Sequence, residues 1–336
     1  SQGLPALREI VAHRLRTRRG IAVGADHVLI TTGSMQGLHL VGRVLLDHGD
    51  TIVTEQPTFM GALGTWAHQQ PRYLCVPVDE QGMIVDALEE QLRSARHPPK
   101  FVYALPTFQN PTGASLSPPR RRHLLDLAER YNFFILEDDP YGEFWFDEGA
   151  EPLPPLRALP GAEERVIYLG TFSKILAPGL RLAYAVANPT VIGLLTQAKR
   201  GIDFHTDTLV QQGVVRLVND PEFDLEAHVE LGRKTYKARR DAALDALEIL
   251  LDSGAVWTRP AGGYFLWLDL PAGLSGEEVS AAALRQGVAV FPGTVFYPNG
   301  DGGENGLRIS YSNVAPDRIP EGIRRLQRGI DDAAGR

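Results

Sequence analysis

Short apolar runs alternate with amphipathic stretches through the first half of this chain, and that alternation restricts the fold more than any other feature. The amphipathic stretches, such as Val85–Ser94 and Ser117–Arg130, carry apolar residues at helical spacing. Because strands that alternate with helices pair in parallel beneath those helices, the pattern predicts an α/β fold with a mostly parallel mixed sheet. The expected strands are Val28–Ile30, Thr51–Thr54, Tyr73–Val78, Phe101–Leu105, Phe133–Leu136, Val166–Leu169 and Leu182–Ala187.

The pattern changes after about Asn219. One long helix is predicted from Pro221 to Leu251, because apolar residues recur there at helical spacing. A smaller α+β unit is predicted after it, with strands and helices at Tyr264–Leu270, Ser275–Arg285, Val288–Phe291, Leu307–Tyr311 and Ile319–Ile330. We therefore divide the chain into a large domain, 1–219, and a connecting helix with a small C-terminal domain, 220–336.

Composition and charge disfavour several classes of protein. Of 336 residues, 43% are hydrophobic and 22% charged, as in an ordinary globular chain. The net charge of −7 disfavours nucleic-acid binding, and the basic run Arg120–Arg122 is expected to be a solvated helix face. The lone Cys75 excludes internal disulfides and Cys-rich metal sites. Without a long apolar run or the features of a signal peptide, we expect a cytoplasmic protein with no membrane partner.

The most informative segment is Gly170–Lys174, followed by Arg181. A lone lysine is usually a surface residue, but the apolar flanks of Lys174 favour a buried amine suited to Schiff-base chemistry. Two hydroxyls, Thr171 and Ser173, and the forked guanidinium of Arg181 would hold a phosphate beside that amine.

Two further segments follow predicted strands, where open α/β sheets bind ligands. In Glu137–Tyr141, a buried Asp138 needs a cationic partner, such as the ring nitrogen of a pyridoxal cofactor. Tyr141 would then reach the phenolic oxygen of that cofactor; an acid pair that caps a turn is the alternative. In Pro106–Gly113, Asn110 would donate to the same oxygen, although Asn-Pro-Thr-Gly is also a turn by propensity.

Three weaker signals complete the pattern. The stretch Gly33–Gly37 follows a strand and begins a helix with Ser34 as its predicted N-cap, so the free N–H groups of that helix form an anion site. Phe59, just past a strand, would either stack on a planar ring or pack in the core. Arg308 lies in an apolar strand and needs an anion, either a substrate carboxylate or a structural salt bridge.

Taken together, these motifs resemble the fold-type I pyridoxal-phosphate aminotransferases of class I/II, over essentially the whole chain. The chain is most similar to the group of bacterial α-aminoadipate (LysN-like) and mammalian kynurenine/aminoadipate aminotransferases. The resemblance implies that Lys174 forms the Schiff base with pyridoxal 5′-phosphate, that Asp138 and Tyr141 assist catalysis, and that Asn110 and Arg308 bind the substrate. It implies that the cofactor-binding residues are Ser34, Met35, Gln36, Phe59, Asn110, Asp138, Tyr141, Thr171, Ser173, Lys174 and Arg181.

The resemblance also implies a homodimer and a ping-pong reaction. An amino acid, with 2-aminoadipate and glutamate as first choices, would give its amino group to a 2-oxo acid such as 2-oxoglutarate. Phe59 stands where many relatives have tyrosine, which removes a phenol hydrogen bond. Ser1–Arg8 resembles the Gly-x-x-x-Leu-Arg stretch of the family, which an N-terminal arm normally precedes. We expect that arm, which helps to recognise the substrate side chain, to be missing here and the functional protein to be longer.

Two other functions fit a similar scaffold. The effector domain of a MocR-type transcription regulator binds the same cofactor, but those regulators usually carry a His-Gln-Phe/Tyr-Pro-Thr-Gly loop where this chain has Asn110. A β-lyase would share the cofactor residues, and the sequence separates it poorly from an aminotransferase. We predict an aminotransferase, with the MocR-type effector domain as the alternative.

Overall fold

The computed structural model describes residues 1–146 and 153–335. Most strands lie within one or two residues of the predicted runs. The strands are β1 Val28–Thr31, β2 Thr51–Gln56, β3 Arg72–Asp79, β4 Gly82–Met83, β5 Phe101–Ala104, β6 Phe134–Asp138, β7 Val166–Thr171, β8 Ala183–Val186, β9 Val256–Trp257, β10 Phe265–Asp269, β11 Phe291–Pro292 and β12 Gly306–Ser310.

Eight of these strands form one large sheet, in the order β1-β8-β7-β6-β5-β2-β3-β4. Its central strands β7, β6, β5, β2 and β3 are parallel. Strand β8 pairs antiparallel with β7 and β1, and β4 pairs antiparallel with β3. The predicted α/β fold with a mostly parallel mixed sheet is therefore confirmed.

Helices pack around both sheets. They are α1 Pro5–Arg19, α2 Ser34–Leu45, α3 Met60–Trp66, α4 Val85–Ser94, α5 Pro118–Tyr131, α6 Phe172–Ile175, α7 Pro189–Arg200, α8 Thr208–Val218, α9 Leu225–Leu247, α10 Gly276–Arg285 and α11 Ile319–Ala333. The long helix α9 begins later than predicted, because the Asp224 side chain caps it by accepting the N–H groups of Glu226 and Ala227. Among the described residues, no helix has both the length and the apolar character that a membrane crossing requires.

A second sheet, in the order β11-β12-β10-β9, is antiparallel throughout. The strand predicted at Val288–Phe291 is reduced to Phe291–Pro292, because the Val288 N–H still bonds to Ala283 O at the end of α10. The large sheet uses residues 28–186 and the small sheet uses residues 256–310. The domain boundary at 219/220 stays a prediction.

The basic run Arg120–Arg122 is not uniformly solvated, which corrects the expectation from the sequence. Arg121 is fully buried on the inner face of α5. Its guanidinium donates to Thr107 Oγ1 at 2.9 Å, to Leu116 O at 2.7 Å and to Pro106 O. A buried guanidinium is retained only when its donors are satisfied, and these carbonyls satisfy them. Arg121 thus fixes the start of the loop that leads to Asn110.

Candidate active site

The parallel strands bring the candidate residues to one edge of the large sheet. Asp138 is the last residue of β6, and β7 ends at Thr171, from which α6 continues to Lys174. Asn110 lies in the loop after β5, and Gly33 joins β1 to α2. Carboxyl ends of parallel strands share one edge of a sheet, and that edge is where α/β proteins bind ligands.

Asp138 is a buried acid, only 4% exposed. Tyr103 on β5 donates its hydroxyl to Asp138 Oδ2 at 3.0 Å. Burial is the main cause that raises the pKa of Asp138 to about 7, and the charge of Asp139 raises it further, while Tyr103 and Lys174 lower it. A carboxyl in this state stands to gain from a cationic partner, which would offset the cost of burying its charge.

The two acids beside Asp138 have other partners. Glu137 accepts hydrogen bonds from two backbone N–H groups of a neighbouring loop, at 2.7 and 2.8 Å. Asp139 forms a buried ion pair with Arg19. The alternative of a structural acid pair therefore applies to Glu137 and Asp139. Asp138 is the acid of this segment that remains for the candidate site.

Lys174 is half-buried. Its Nζ lies 5.5 Å from the ring centroid of Tyr264 and 6.0 Å from that of Tyr141. Burial lowers the pKa of Lys174 and the charge of Arg181 lowers it further, while Asp138 raises it. A lowered pKa increases the fraction of neutral amine, which is the form that attacks a carbonyl carbon.

An anion-binding concavity lies beside Lys174. Arg181 Nη1 is 3.5 Å from Ser173 Oγ. A Cβ placed on Gly33 would come within 2.5 Å of Arg181 Nη2, so the guanidinium packs directly against the start of α2. The first N–H groups of a helix have no intrahelical partner and attract anions. We call Gly33–Met35, Ser173 and Arg181 the phosphate cup.

The start of α2 differs from the prediction by one residue. Gly33, with φ of 80°, is the N-cap, and Ser34 is already the first helical residue. A φ of 80° is accessible to glycine at little cost, so the turn is placed at Gly33 and the predicted cap at Ser34 is wrong. Met35 follows in the first turn with its side chain partly exposed. The backbone N–H groups of Ser34 and Met35 are those available to an anion.

Two other predicted phosphate ligands already have partners in the protein. Gln36 Oε1 accepts hydrogen bonds from Lys199 Nζ and from the backbone N–H of Thr32, both at 2.9 Å. Thr171 Oγ1 caps α6 by accepting the N–H of Ser173 at 3.0 Å. The side chains of Gln36 and Thr171 therefore stabilise the backbone around the phosphate cup through these hydrogen bonds.

Arg308 on β12 of the small sheet contacts Asn110, which lies in the loop after β5 of the large sheet. Its Nη1 donates to Asn110 Oδ1 at 2.9 Å. The guanidinium carbon lies 4.4, 4.5 and 5.0 Å from the ring centroids of Phe265, Phe291 and Phe296. Within residues 1–146 and 153–335, the buried Nε has no hydrogen-bond partner. This guanidinium therefore has a donor left for an anionic ligand. That favours a substrate carboxylate as its partner over a structural salt bridge.

Tyr141 and Phe59 supply aromatic surfaces. The buried Tyr141 ring lies 5.1 Å from that of Tyr264, and burial raises the pKa of its phenol, which therefore keeps its proton. Phe59 follows β2, is half-buried and packs against the core on one side. A Cβ on Gly61 would come within 2.4 Å of the Phe59 ring, so the chain needs glycine at that position.

The donor set fits pyridoxal phosphate. The phosphate cup offers a guanidinium, a hydroxyl and helix N–H groups to a phosphate. Lys174 offers an amine of lowered pKa, and Asp138 offers a buried carboxyl that lacks a cationic partner of its own at bonding distance among the described residues. Arg308 keeps its Nε without a hydrogen-bond partner in the described part of the chain, so this donor is available to a substrate carboxylate.

The sequence interpretation missed four residues around this site. Tyr103 and Tyr264 lie in or beside apolar strands, where an aromatic residue usually only packs. Lys199 and Asp203 stand four residues apart at the end of a helix, a spacing that signals an ion pair but does not reveal its third partner. Of these four residues, only Lys199 and Asp203 could have been linked from the sequence, through their i,i+4 spacing.

Comparison with known proteins agrees with this geometry. The model of the aminotransferase class I and II family matches residues 1–326, and the chain belongs to that family. The 2-aminoadipate transaminase of Thermus thermophilus is 42% identical over 330 residues, which are 98% of this chain and 80% of the relative. Aromatic-amino-acid aminotransferase 1 of Thermococcus litoralis is 40% identical over 335 residues, with 99% and 79% covered.

A solved structure shares the fold and was determined with a cofactor adduct. LysN, the α-aminoadipate aminotransferase of Thermus thermophilus, was crystallised with a phosphopyridoxyl-leucine adduct. It matches with a TM-score of 0.92 and 42% identity, over 100% of this chain and 83% of that one. The chain is therefore a fold-type I aminotransferase that depends on pyridoxal phosphate, as predicted.

The regulator alternative has weaker support. The helix-turn-helix regulator TauR of Rhodobacter capsulatus is 32% identical over 328 residues, which are 97% of this chain but 65% of the regulator. Both enzymes named above are more similar and are covered over a larger share of their length.

Proposed function

We propose that this aminotransferase takes the amino group of an acidic or other large amino acid, with 2-aminoadipate and glutamate as first choices. The acceptor is a 2-oxo acid such as 2-oxoglutarate. The relatives that act on 2-aminoadipate and on aromatic amino acids support this choice of substrates. The observation that carries the aminotransferase chemistry is the position of Lys174, whose Nζ lies over the rings of Tyr264 and Tyr141. Burial, and after it the charge of Arg181, lowers the pKa of this amine.

Each candidate residue has a distinct task in this proposal. Pyridoxal phosphate, when bound, supplies a ring that accepts electrons from the α-carbon of the substrate. Lys174 would hold the cofactor covalently until the amino group of the substrate displaces it, and the freed amine would then move the α-proton as a general acid and base. Asp138 would hold a proton on the ring nitrogen, and the protonated phenol of Tyr141 would donate to the phenolic oxygen of the cofactor. The phosphate cup anchors the other end.

Arg308 and Asn110 orient the substrate. The guanidinium forms a bidentate pair with the α-carboxylate, and the three phenylalanine rings around it reduce its contact with water. Asn110 holds Nη1 through its Oδ1, so the fork of Arg308 points in one direction. An amino acid held in this way presents its α-carbon to the amine of Lys174.

We expect Arg308→Ala to raise KM for every amino acid and 2-oxo acid, because all of them share the α-carboxylate. Truncating one partner of a buried charged pair costs about 2–5 kcal/mol. Steady-state kinetics with glutamate, 2-aminoadipate and an aromatic donor measure the effect. Arg308→Lys is the matched variant; it keeps the charge without the fork and should lose less. A loss confined to dicarboxylic substrates would instead show that Arg308 binds the side chain of the substrate and not its α-carboxylate.

A panel of amino donors with 2-oxoglutarate tests the substrate proposal. We expect 2-aminoadipate and glutamate to give the highest kcat/KM values. Small neutral or aromatic donors that exceed both by a wide margin would contradict the choice. The panel compares donors on one protein, so it needs no variant as a reference.

We also propose that the enzyme is a homodimer. The apolar side chains of Ile202 and Phe204, between α7 and α8, and of Leu209, in the first turn of α8, are exposed, with Leu209 82% exposed. This segment lies beside the phosphate cup, because Asp203 accepts a hydrogen bond from Gln36. Phe204 also adopts a φ of 64°, which is costly for a bulky residue without compensating contacts. Sedimentation tests the proposal, and a single species of 36.9 kDa would contradict it.

The cytoplasmic location and the lack of a nucleic-acid partner stay predictions.

A further inference from the structure

An ion pair between a fully buried lysine, Lys199, and a partly exposed aspartate, Asp203, lies next to the phosphate cup. The Lys199 side chain, in the last turn of α7, is 0% exposed. Its Nζ donates to both carboxylate oxygens of Asp203 at 2.7 Å and to Gln36 Oε1 at 2.9 Å. Asp203 Oδ2 also accepts from Gln36 Nε2 at 2.8 Å and from Thr32 Oγ1 at 3.2 Å. The ion pair therefore holds both ends of one side-chain amide.

That amide fixes the first turn of α2. Gln36 is the third residue of the helix, and its Oε1 also accepts the N–H of Thr32, which directly precedes Gly33. The segment Gly33–Met35 is thus held on both sides by one side chain. The arrangement is related to a capping box, in which the third helical residue reaches back to the start of the helix. The backbone N–H groups of this segment, which belong to the phosphate cup, are thus held in one orientation for an anion.

Burying the charge of Lys199 costs free energy that the contact with Asp203 offsets only in part. Replacement of buried ion pairs by apolar residues is often neutral or stabilising, so stability alone does not account for this pair. The chain contains a natural reference for this argument. Lys237 and Asp241 have the same i,i+4 spacing and a 2.8 Å contact, but they lie partly exposed on α9.

We propose that Lys199 and Asp203 are positioning residues that act through Gln36 to hold the phosphate cup in its binding geometry. They thereby set the affinity for the phosphate group of the cofactor. This inference rests on the proposed function, since it requires Lys174 and the phosphate cup to bind one cofactor. It adds a contribution from α7, which supplies none of the cup residues themselves.

The test separates the phosphate group from the rest of the cofactor. The apoenzyme is titrated with pyridoxal phosphate and, separately, with pyridoxal, which lacks the phosphate; absorbance follows the Schiff base on Lys174. We expect Lys199→Met to weaken pyridoxal phosphate by at least about tenfold, the lower end of what supporting residues contribute at metal sites. The affinity for pyridoxal should stay at the wild-type value. Gln36→Leu, which leaves the ion pair intact, should show the same selective loss.

Lys237→Met is the control and should change neither affinity. An equal loss for both ligands in Lys199→Met and Gln36→Leu would show a merely structural role and overturn the inference, as would no loss for either. If Lys199→Met does not fold, Gln36→Leu decides the question by the same criterion. A wild-type protein that forms no Schiff base with pyridoxal phosphate would instead overturn the proposed function, so the two failures are distinguishable.

Discussion

Replacement of Lys174 by alanine should abolish transamination and leave the fold intact. The side chain is half-buried and its Nζ lies over aromatic rings, so its removal disturbs no strand pairing of the large sheet. A positioned acid–base group alone contributes about 10²–10⁴-fold to a rate, and Lys174→Ala also removes the covalent attachment. Steady-state turnover measures the loss, and circular dichroism checks the fold.

The chain offers a clean control for this prediction because it has only five lysines. Borohydride reduction of the wild-type holoenzyme should fix a pyridoxyl group on Lys174, as peptide mapping would show. Lys100→Ala removes a partly exposed lysine that pairs with Asp50 and should keep full activity. A pyridoxyl group on a lysine other than Lys174 would contradict the assignment.

Asp138→Asn should retain the fold and the cofactor but lose most activity. The pKa of Asp138 is about 7 without a cationic partner, so a neutral amide of the same shape is tolerated at this buried position. The amide cannot stabilise a protonated ring nitrogen, and electrostatic losses of this kind cost roughly 10²–10³-fold in kcat. Single-turnover rates with glutamate measure the effect without interference from product release.

Glu55 provides the matched control for Asp138. It is also buried, near the end of β2, which is separated from β6 by β5, and burial raises its pKa to about 7. Its Oε2 accepts the N–H of Leu105 at 3.1 Å, a bond that a glutamine oxygen can replace. Glu55→Gln should therefore keep activity near the wild-type value. Equal losses in both variants would mean that the effect of Asp138→Asn reflects burial and not contact with the cofactor.

The sequence predicted the large sheet because its central strands are covered on both faces. Strands of this kind form continuous apolar runs in the sequence, and the central strands β5 and β7 are buried at every position. The same runs end where the polar residues begin, so Asp138 and Thr171 could be assigned to strand ends before any pairing was known.

Contacts between residues far apart in the chain could not be predicted from the sequence. Hydrophobic periodicity assigns a residue to a face of a helix or strand, but it does not identify the partner across the interface. Arg121 was placed on a solvated face, although it is fully buried beneath backbone carbonyls. The bond from Lys199 to Gln36 joins residues 163 positions apart. Only the packing of α7 against α2 creates that contact.

One half-reaction tests the central claim most directly. Glutamate is added to the holoenzyme without any 2-oxo acid, and the products are identified by mass spectrometry. The account predicts 2-oxoglutarate in an amount equal to the bound cofactor, with that cofactor recovered as pyridoxamine phosphate and no ammonia released. If none of the amino donors, glutamate and 2-aminoadipate included, converts the cofactor, or if ammonia is released while it remains pyridoxal phosphate, the protein is not an aminotransferase and the account is contradicted.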